Sequence, residues 1–166
     1  PGGGCAAAAT AAMAAALGSM VAGMSRGKKA YVQYERQLSD ALARLAELRE
    51  HFKAAIDADA ESFNEVMAAF KKAKDHPEAQ AEVEAATKKA TLVPLVVAER
   101  AREARRIIES LRPITNPRMA SDLTVGVSLA RAAMEGALAN VEINLGDIKD
   151  EGFLADVKQR VAVVRG

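Results

Sequence analysis

Apolar residues in the first half of the chain recur every three or four positions. From Phe52 onward the steps of one stripe alternate between four and three residues, which is typical of a packed helix face. The pattern predicts a long helix over about Tyr31–Lys74. Its stripe, called the central seam here, consists of Leu38, Leu42, Leu45, Phe52, Ile56, Asp59, Phe63, Val66 and Phe70.

The other segments also carry helix signals and no alternating strand pattern. An alanine-rich run predicts a helix over Gly4–Met24, because Ala has the highest helix propensity. A third helix is expected over Glu78–Leu111, with Pro94 kinking or splitting it. An Asn-Pro start signal predicts a fourth helix over Pro117–Leu145, and a fifth is expected over Asp150–Val164.

These helices predict an all-α bundle of about five long helices. The alanine-rich helix has little side-chain bulk, so it is interpreted as a central strut that its neighbours approach closely. We expect one domain over residues 1–166, with a core completed by homodimerisation, for which a twofold pair is the default. Because the chain begins at Pro1 rather than Met, residues upstream are expected to be missing.

Composition narrows the functional classes. The net charge of +1 gives no bulk reason to bind nucleic acid or an anionic membrane. Residues 5–24 form an uncharged run of membrane-spanning length, but most of them are Ala or Gly, so a buried bundle helix is the better interpretation. The single Cys5 fits a reducing, cytoplasmic compartment. Cys5, His51 and His76 show no metal-ligand spacing, so no metal site is predicted.

One member of the central seam is a carboxylate. Asp59 follows Ile56 and precedes Phe63, so a helix turns it toward the same face as these apolar neighbours. Because burying a lone charge is costly, such a group must be paired, hydrogen-bonded or protonated. Asp57 lies about 200° away around the helix and cannot share that face. Asp59 is therefore either a general acid/base sheltered by Phe63 or a carboxylate that only pairs or caps.

The predicted fourth helix carries an unusual stripe of small and polar residues. Asp122 and Asn140 are about five turns apart, so they point the same way, and Asn144 follows one turn later. Polar groups would go unsatisfied in a dry interface, so these three are expected to meet a partner chain, water or a ligand. The stripe predicts a smooth groove lined by Asp122, Gly126, Ala133, Gly136, Ala137, Asn140 and Asn144.

Two turns complete the candidate chemistry. Gly2, Gly3 and Gly4 precede a helix N-terminus, a natural place for an anion or a polar ligand. The basic turn formed by Arg26, Lys28 and Lys29 is either a solvated connector near a helix C-terminus or a clamp for an anionic ligand tail.

Four stretches, in this order, together resemble a known family. They are the Pro1–Gly4 turn with its alanine-rich helix, the Arg26–Lys29 turn, Asp57–Phe63, and the segment from Ser121–Leu123 to Asn140–Leu145. The chain resembles the formimidoyltetrahydrofolate cyclodeaminase and methenyltetrahydrofolate cyclohydrolase family, which includes the C-terminal half of bifunctional formiminotransferase-cyclodeaminases. It departs from the family's pattern at Cys5, where Ser is common, and at Thr115, where Gly often precedes the Asn.

The resemblance implies an all-helical homodimer that acts on a tetrahydrofolate derivative, without a metal or redox cofactor and with a fused or separate formiminotransferase as partner. Cyclodeamination of 5-formiminotetrahydrofolate to 5,10-methenyltetrahydrofolate is the expected activity. The cyclohydrolase reaction alone is the first alternative, and a non-catalytic dimerisation module or a membrane-associated helix protein are alternatives of other classes.

The resemblance also assigns expected roles to the candidate residues. Asp59 is the expected general acid/base, and Asp122 is expected to pair with the amidine-like edge of the pterin. The remaining expected ligand contacts are backbone approach at Gly2, Gly3 and Gly4, ring or water orientation by Asn140 and Asn144, and glutamate-tail binding by Arg26, Lys28 and Lys29.

Overall fold

A computed structural model describes residues 2–166, and the described chain is all-helical, with no strand. Five α-helices carry the fold. They are α1 (Gly3–Ser25), α2 (Glu35–Asp75), α3 (Gln80–Ser110), α4 (Ala120–Leu145) and α5 (Glu151–Arg165). The predicted five-helix bundle is confirmed as the fold of the chain.

The helix starts differ from the sequence prediction where turns intervene. A 3₁₀ segment over Lys29–Tyr34 replaces the first turn expected for α2. Glu35 opens α2 and accepts hydrogen bonds from the Gly27 amide and from Arg26, both at 2.9 Å. Gly27 has a φ of +70°, which glycine adopts without strain. The start signal at Asn116 is confirmed, since its side chain accepts a hydrogen bond from the Arg118 amide at 3.0 Å.

Helix α3 runs through Pro94 without a break, so of the two expected outcomes, a kink or a split, the split does not occur. Pro94 is buried inside the helix rather than at its end. Because proline has no N–H, α3 continues with one backbone hydrogen bond fewer at this point. Packing of the buried face of α3, which includes Leu95 and Ala98, offsets that loss.

Helix α1 approaches its neighbours closely, as its small side chains predicted, but it is not enclosed by them, since Met13, Met20 and Met24 are exposed. Ala8, Ala11 and Ala15 have no exposed surface, and α1 packs against both α2 and α4. A Cβ on Gly18 would lie 2.8 Å from Cγ1 of Ile108, so α1 approaches its neighbours too closely for any side chain there. By length and composition alone, α1 is long and apolar enough to cross a membrane. In this structure, 44% of its 18-residue apolar stretch is buried inside the bundle.

The end of the central seam does not face the core, contrary to the prediction. Leu38, Leu45 and Phe52 are fully buried, but Phe63 is 45% exposed and Phe70 43% exposed. The reason is geometric, because α1 begins opposite Asp59 and leaves the last turns of α2 without that partner.

The predicted groove on α4 is also wrong as stated. Gly126, Ala133 and Ala137 are buried, and a Cβ on Gly136 would lie 3.7 Å from the Cβ of Ala7. The small stripe therefore serves as the contact for α1, which runs antiparallel to α4. The opposite side of α4 belongs to the core, with Leu123, Ala130, Met134, Leu138 and Val141 buried and Val127 partly buried.

Candidate functional site

The glycine turn brings the start of α1 against two of the predicted site residues. A Cβ built on Gly4 would collide with the carboxylate of Asp59, and one on Gly3 would lie 2.7 Å from Nδ2 of Asn140. Gly3 and Gly4 are therefore required for the close approach of three helices. A Cβ on Gly2 would meet nothing within 4 Å, so its expected role toward a ligand stays a prediction.

A cleft of about 460 Å³ opens where α1, α2, α3 and α4 meet. It holds polar groups from opposite sides, namely Asp59 from α2 and Asn140 and Asn144 from α4, between apolar walls. The complete lining is Gly2, Gly3, Asp59, Ser62, Phe63, Val66, Ala90, Pro94, Asn140, Ile143, Asn144 and Asp147. Six of the predicted site residues thus lie at one end of the bundle, with Gly4 packed directly on Asp59.

Asp59 is held from the first turn of α1. The Cys5 thiol donates a hydrogen bond to Oδ2 of Asp59 over 3.1 Å, and Sγ also lies 3.3 Å from the carbonyl oxygen of Ile56. Ser62 donates from its hydroxyl to the backbone carbonyl of Asp59 at 3.0 Å. Asp59 itself is partly buried, so its carboxylate is both supported by protein and open to the cleft.

The asparagines present differently oriented groups. Asn140 donates from Nδ2 to the carbonyl oxygen of Gly136, one turn earlier in α4, at 2.8 Å. This bond fixes the orientation of the Asn140 amide in the lining of the cleft. Asn144 lies on the last turn of α4, and Asp147 lies on the turn that follows the helix. The cleft thus presents donors and acceptors that converge, the pattern of a site for a polar small molecule.

Four predicted binding residues lie at the opposite end of the bundle. Arg26, Lys28 and Lys29 follow the C-terminus of α1, about 33 Å from the glycine turn at the helical rise per residue. Arg26 pairs with Glu35 at 2.9 Å, and Lys28 and Lys29 are exposed. Asp122 lies near the start of α4, about 27 Å along the helix from Asn140. Within one chain these groups do not join the cleft.

Two polar residues of the cleft were absent from the sequence interpretation. Ser62 follows Asp59 by one short turn, and Asp147 follows Asn144 by the same spacing. The spacing of three residues from a predicted site residue was the available signal for both. Ordinary surface residues of helices show the same spacing, so it does not mark a site. Among the residues from 2 to 166, no three His, Cys, Asp or Glu side chains cluster in a way that could hold a metal ion.

A second cavity, of about 350 Å³, lies between α2 and α3. Its walls are almost entirely apolar, with His51 and Lys89 at the edge of a surface formed by Leu92, Val93 and Val96. Burial lowers the pKa of His51 and Arg100 lowers it further, so this imidazole is neutral at physiological pH. The cavity lacks convergent polar groups and is the weaker candidate for chemistry.

The chain matches a known protein family over nearly its whole length. A profile of the formiminotransferase-cyclodeaminase family matches residues 1–163. The chain belongs to the formiminotransferase-cyclodeaminase family. The resemblance read from the four sequence stretches is therefore confirmed at the level of the family.

Members of the formiminotransferase-cyclodeaminase family differ in length and in name. Formimidoyltransferase-cyclodeaminase of Gallus gallus is 35% identical over 97% of this chain, but the chain spans only 30% of that relative. Methenyltetrahydrofolate cyclohydrolase of Methylorubrum extorquens is 37% identical over 92% of the chain, which spans 76% of that protein. A crystal structure of formiminotetrahydrofolate cyclodeaminase from Thermotoga maritima superposes with a TM-score of 0.92 at 30% identity, covering 99% of this chain and 80% of that one.

Proposed function

We propose that this chain catalyses the cyclodeaminase reaction, converting 5-formiminotetrahydrofolate to 5,10-methenyltetrahydrofolate and ammonia, with the cleft around Asp59 as its site. The observation that carries the proposal is the geometry of Asp59, a carboxylate held by Cys5 at the mouth of a cleft with Asn140 and Asn144 opposite. Membership in a family whose relatives are named for reactions on folates supports the substrate class.

The proposed reaction needs one group that both accepts and returns a proton. N10 of the folate attacks the carbon of the protonated formimino group and loses its proton, and the bond from that carbon to the terminal nitrogen then breaks as ammonia leaves and the methenyl cation forms. An ionised carboxylate takes the N10 proton and delivers a proton to the departing nitrogen. Asp59 is placed for this shuttle because it lines the cleft, and general acid–base catalysis of this kind contributes about 10²–10⁴-fold.

We propose that the active form is a twofold dimer. One face of α1 is uncovered and apolar, with Met13, Met20 and Met24 exposed at 52%, 41% and 59%. An antiparallel pair formed across this face would bring the basic turn and Asp122 of one subunit toward the partner's cleft. That arrangement reconciles the expected pterin and tail contacts with their distance from Asp59 in a single chain.

A second candidate activity is the cyclohydrolase reaction, in which water adds to the methenyl carbon and the bond to N5 breaks, giving 10-formyltetrahydrofolate. The Methylorubrum extorquens relative favours it, since the chain spans most of that protein. The same carboxylate would accept the proton of the attacking water. We also propose that the protein is cytoplasmic. It would work with a fused or separate formiminotransferase, as the name of the two-activity relatives suggests.

Purified protein is expected to form 5,10-methenyltetrahydrofolate from 5-formiminotetrahydrofolate and to release ammonia in equal amount. The measurement is the rise in methenyl absorbance with coupled ammonia detection. In parallel, 5,10-methenyltetrahydrofolate is supplied and its loss above the buffer rate is followed. Turnover of the second substrate alone would assign the cyclohydrolase activity, and turnover of neither would overturn the proposal.

The basic turn is expected to bind the polyglutamate tail. Lys28→Ala combined with Lys29→Ala should weaken the binding of a polyglutamylated folate more than that of the monoglutamate, because each added residue brings a carboxylate. The wild-type affinity for the polyglutamate should also fall more steeply with salt. Binding is measured by calorimetry at several salt concentrations, with exposed Lys53→Ala as the control. Equal salt slopes for both folates would contradict the clamp.

A further inference from the structure

Cys5, in the first turn of α1, lies beside the proposed site and has no role in the proposed reaction so far. Cys5 does not line the cleft, but its sulfur lies behind Asp59, 3.1 Å from Oδ2. Within residues 2–166, the Cys5 thiol is the one group that donates a hydrogen bond to this carboxylate. The orientation of Asp59 therefore depends on a single donor and on the close packing of Gly4.

The thiol is kept in its donor form. Burial raises the pKa of the Cys5 thiol, and so do its hydrogen bond to Asp59 and the negative charge of that carboxylate. Cys5 therefore keeps its proton at neutral pH and can donate it to only one acceptor at a time. Of its two neighbours, the carboxylate of Asp59 is the stronger acceptor and the carbonyl of Ile56 the weaker.

We propose that Cys5 is a positioning residue for Asp59, which holds Oδ2 from behind so that the carboxylate faces the cleft. This inference rests on the proposed function, in which Asp59 starts the reaction as a base. Without this donor the carboxylate loses the hydrogen bond that fixes its orientation, and a misplaced catalytic group should lower kcat while substrate binding changes little.

Few charged or titratable groups lie around Asp59. Helix α1 contributes Cys5, and α3 contributes only Ala90 and Pro94 to the cleft. From α4 and its following turn come Asn140, Asn144 and Asp147, of which Asp147 is the one titratable group. Asp147→Asn is therefore the variant that separates the contribution of the other carboxylate from that of Asp59.

The test compares the steady-state kinetics and the thermal unfolding of Cys5→Ala and Cys5→Ser. For Cys5→Ala, kcat is expected to fall about tenfold with KM little changed, because the carboxylate loses its donor while the lining of the cleft is kept. Cys5→Ser restores a donor and should return kcat to within about threefold of wild type. A pure packing role predicts that both variants lose thermal stability and that serine does not restore kcat, which would overturn the proposal.

A second measurement does not depend on folate turnover. Cys5 is the only cysteine in the chain, so the rate of alkylation by iodoacetamide reports its thiolate alone. Asp59→Asn removes the negative charge and should make alkylation at pH 8 at least about twofold faster, with the midpoint of the rate profile at lower pH. An unchanged alkylation profile would refute the Cys5–Asp59 coupling even if the enzyme is active. Inactive wild-type protein with a shifted profile would instead refute the proposed function alone.

Discussion

Asp59→Asn is expected to lower kcat about 10²–10⁴-fold, the range that a general acid–base group contributes, while KM changes by no more than about threefold. The amide has the same shape as the carboxylate and can still accept the hydrogen bond from Cys5, so the cleft should keep its geometry. It cannot take up the proton that N10 loses. Steady-state kinetics with 5-formiminotetrahydrofolate and thermal unfolding together measure the effect.

The matched control for this prediction is Asp57→Asn. Asp57 lies two residues earlier on α2, is exposed, and lines no part of the cleft. The same chemical change there should leave kcat and KM at wild-type values. A near-normal rate for Asp59→Asn, or an equal loss in both variants, would remove Asp59 from the mechanism.

Gly4→Ala is expected to have the second largest effect. The added methyl group would collide with the Asp59 carboxylate, so either that side chain or the first turn of α1 must move. A displacement of about 1 Å at a catalytic group can cost about 10²-fold in rate, and kcat should fall by about that factor. The free energy of unfolding should change less than the activation free energy does. Alanine favours the helix by about 0.5–1 kcal/mol, which offsets part of an overpacking cost of about 1–3 kcal/mol.

Gly23→Ala on the same helix provides the comparison. A Cβ there would lie 3.8 Å from Cδ2 of Leu42, an ordinary contact, at the end of α1 far from Asp59. This variant should keep full activity and gain a few degrees in Tm, because the unfolded chain loses freedom. If both glycine variants lost activity alike, the effect would be one of helix propensity and not of crowding at Asp59.

The secondary structure was predictable from the sequence because its signals are local. An alanine run, an Asn-Pro start and a three-four repeat specify helices without knowledge of their neighbours. The outcome at Pro94, a kink or a split, could not be decided from the sequence for the same reason. Whether a proline splits a helix depends on the packing around it, and here the buried face of α3 keeps the helix continuous.

The candidate site was predictable only in part. Asp59 stood out because a carboxylate interrupts an apolar stripe, and Gly3 and Gly4 because they precede a helix. Gly4 packs on Asp59 and Gly3 packs on Asn140, and no local sequence pattern predicts these tertiary contacts. Phe63 and Phe70 appeared as core because periodicity cannot show where the partner helix α1 begins. The role of Cys5 was equally hidden, since Asp59 lies 54 positions away in the sequence.

Pro94 has a consequence for ligand recognition. In a regular helix the N–H of residue 94 would bond to the carbonyl of Ala90, and proline cannot supply it. Both residues lie in the wall of the cleft, so the carbonyl that Pro94 leaves without its helical donor belongs to a residue of that wall. Such a carbonyl suits an N–H group of a flat heterocycle. In a Pro94→Ala enzyme the amide of residue 94 would donate to the carbonyl of Ala90, and a ligand could no longer bind to it.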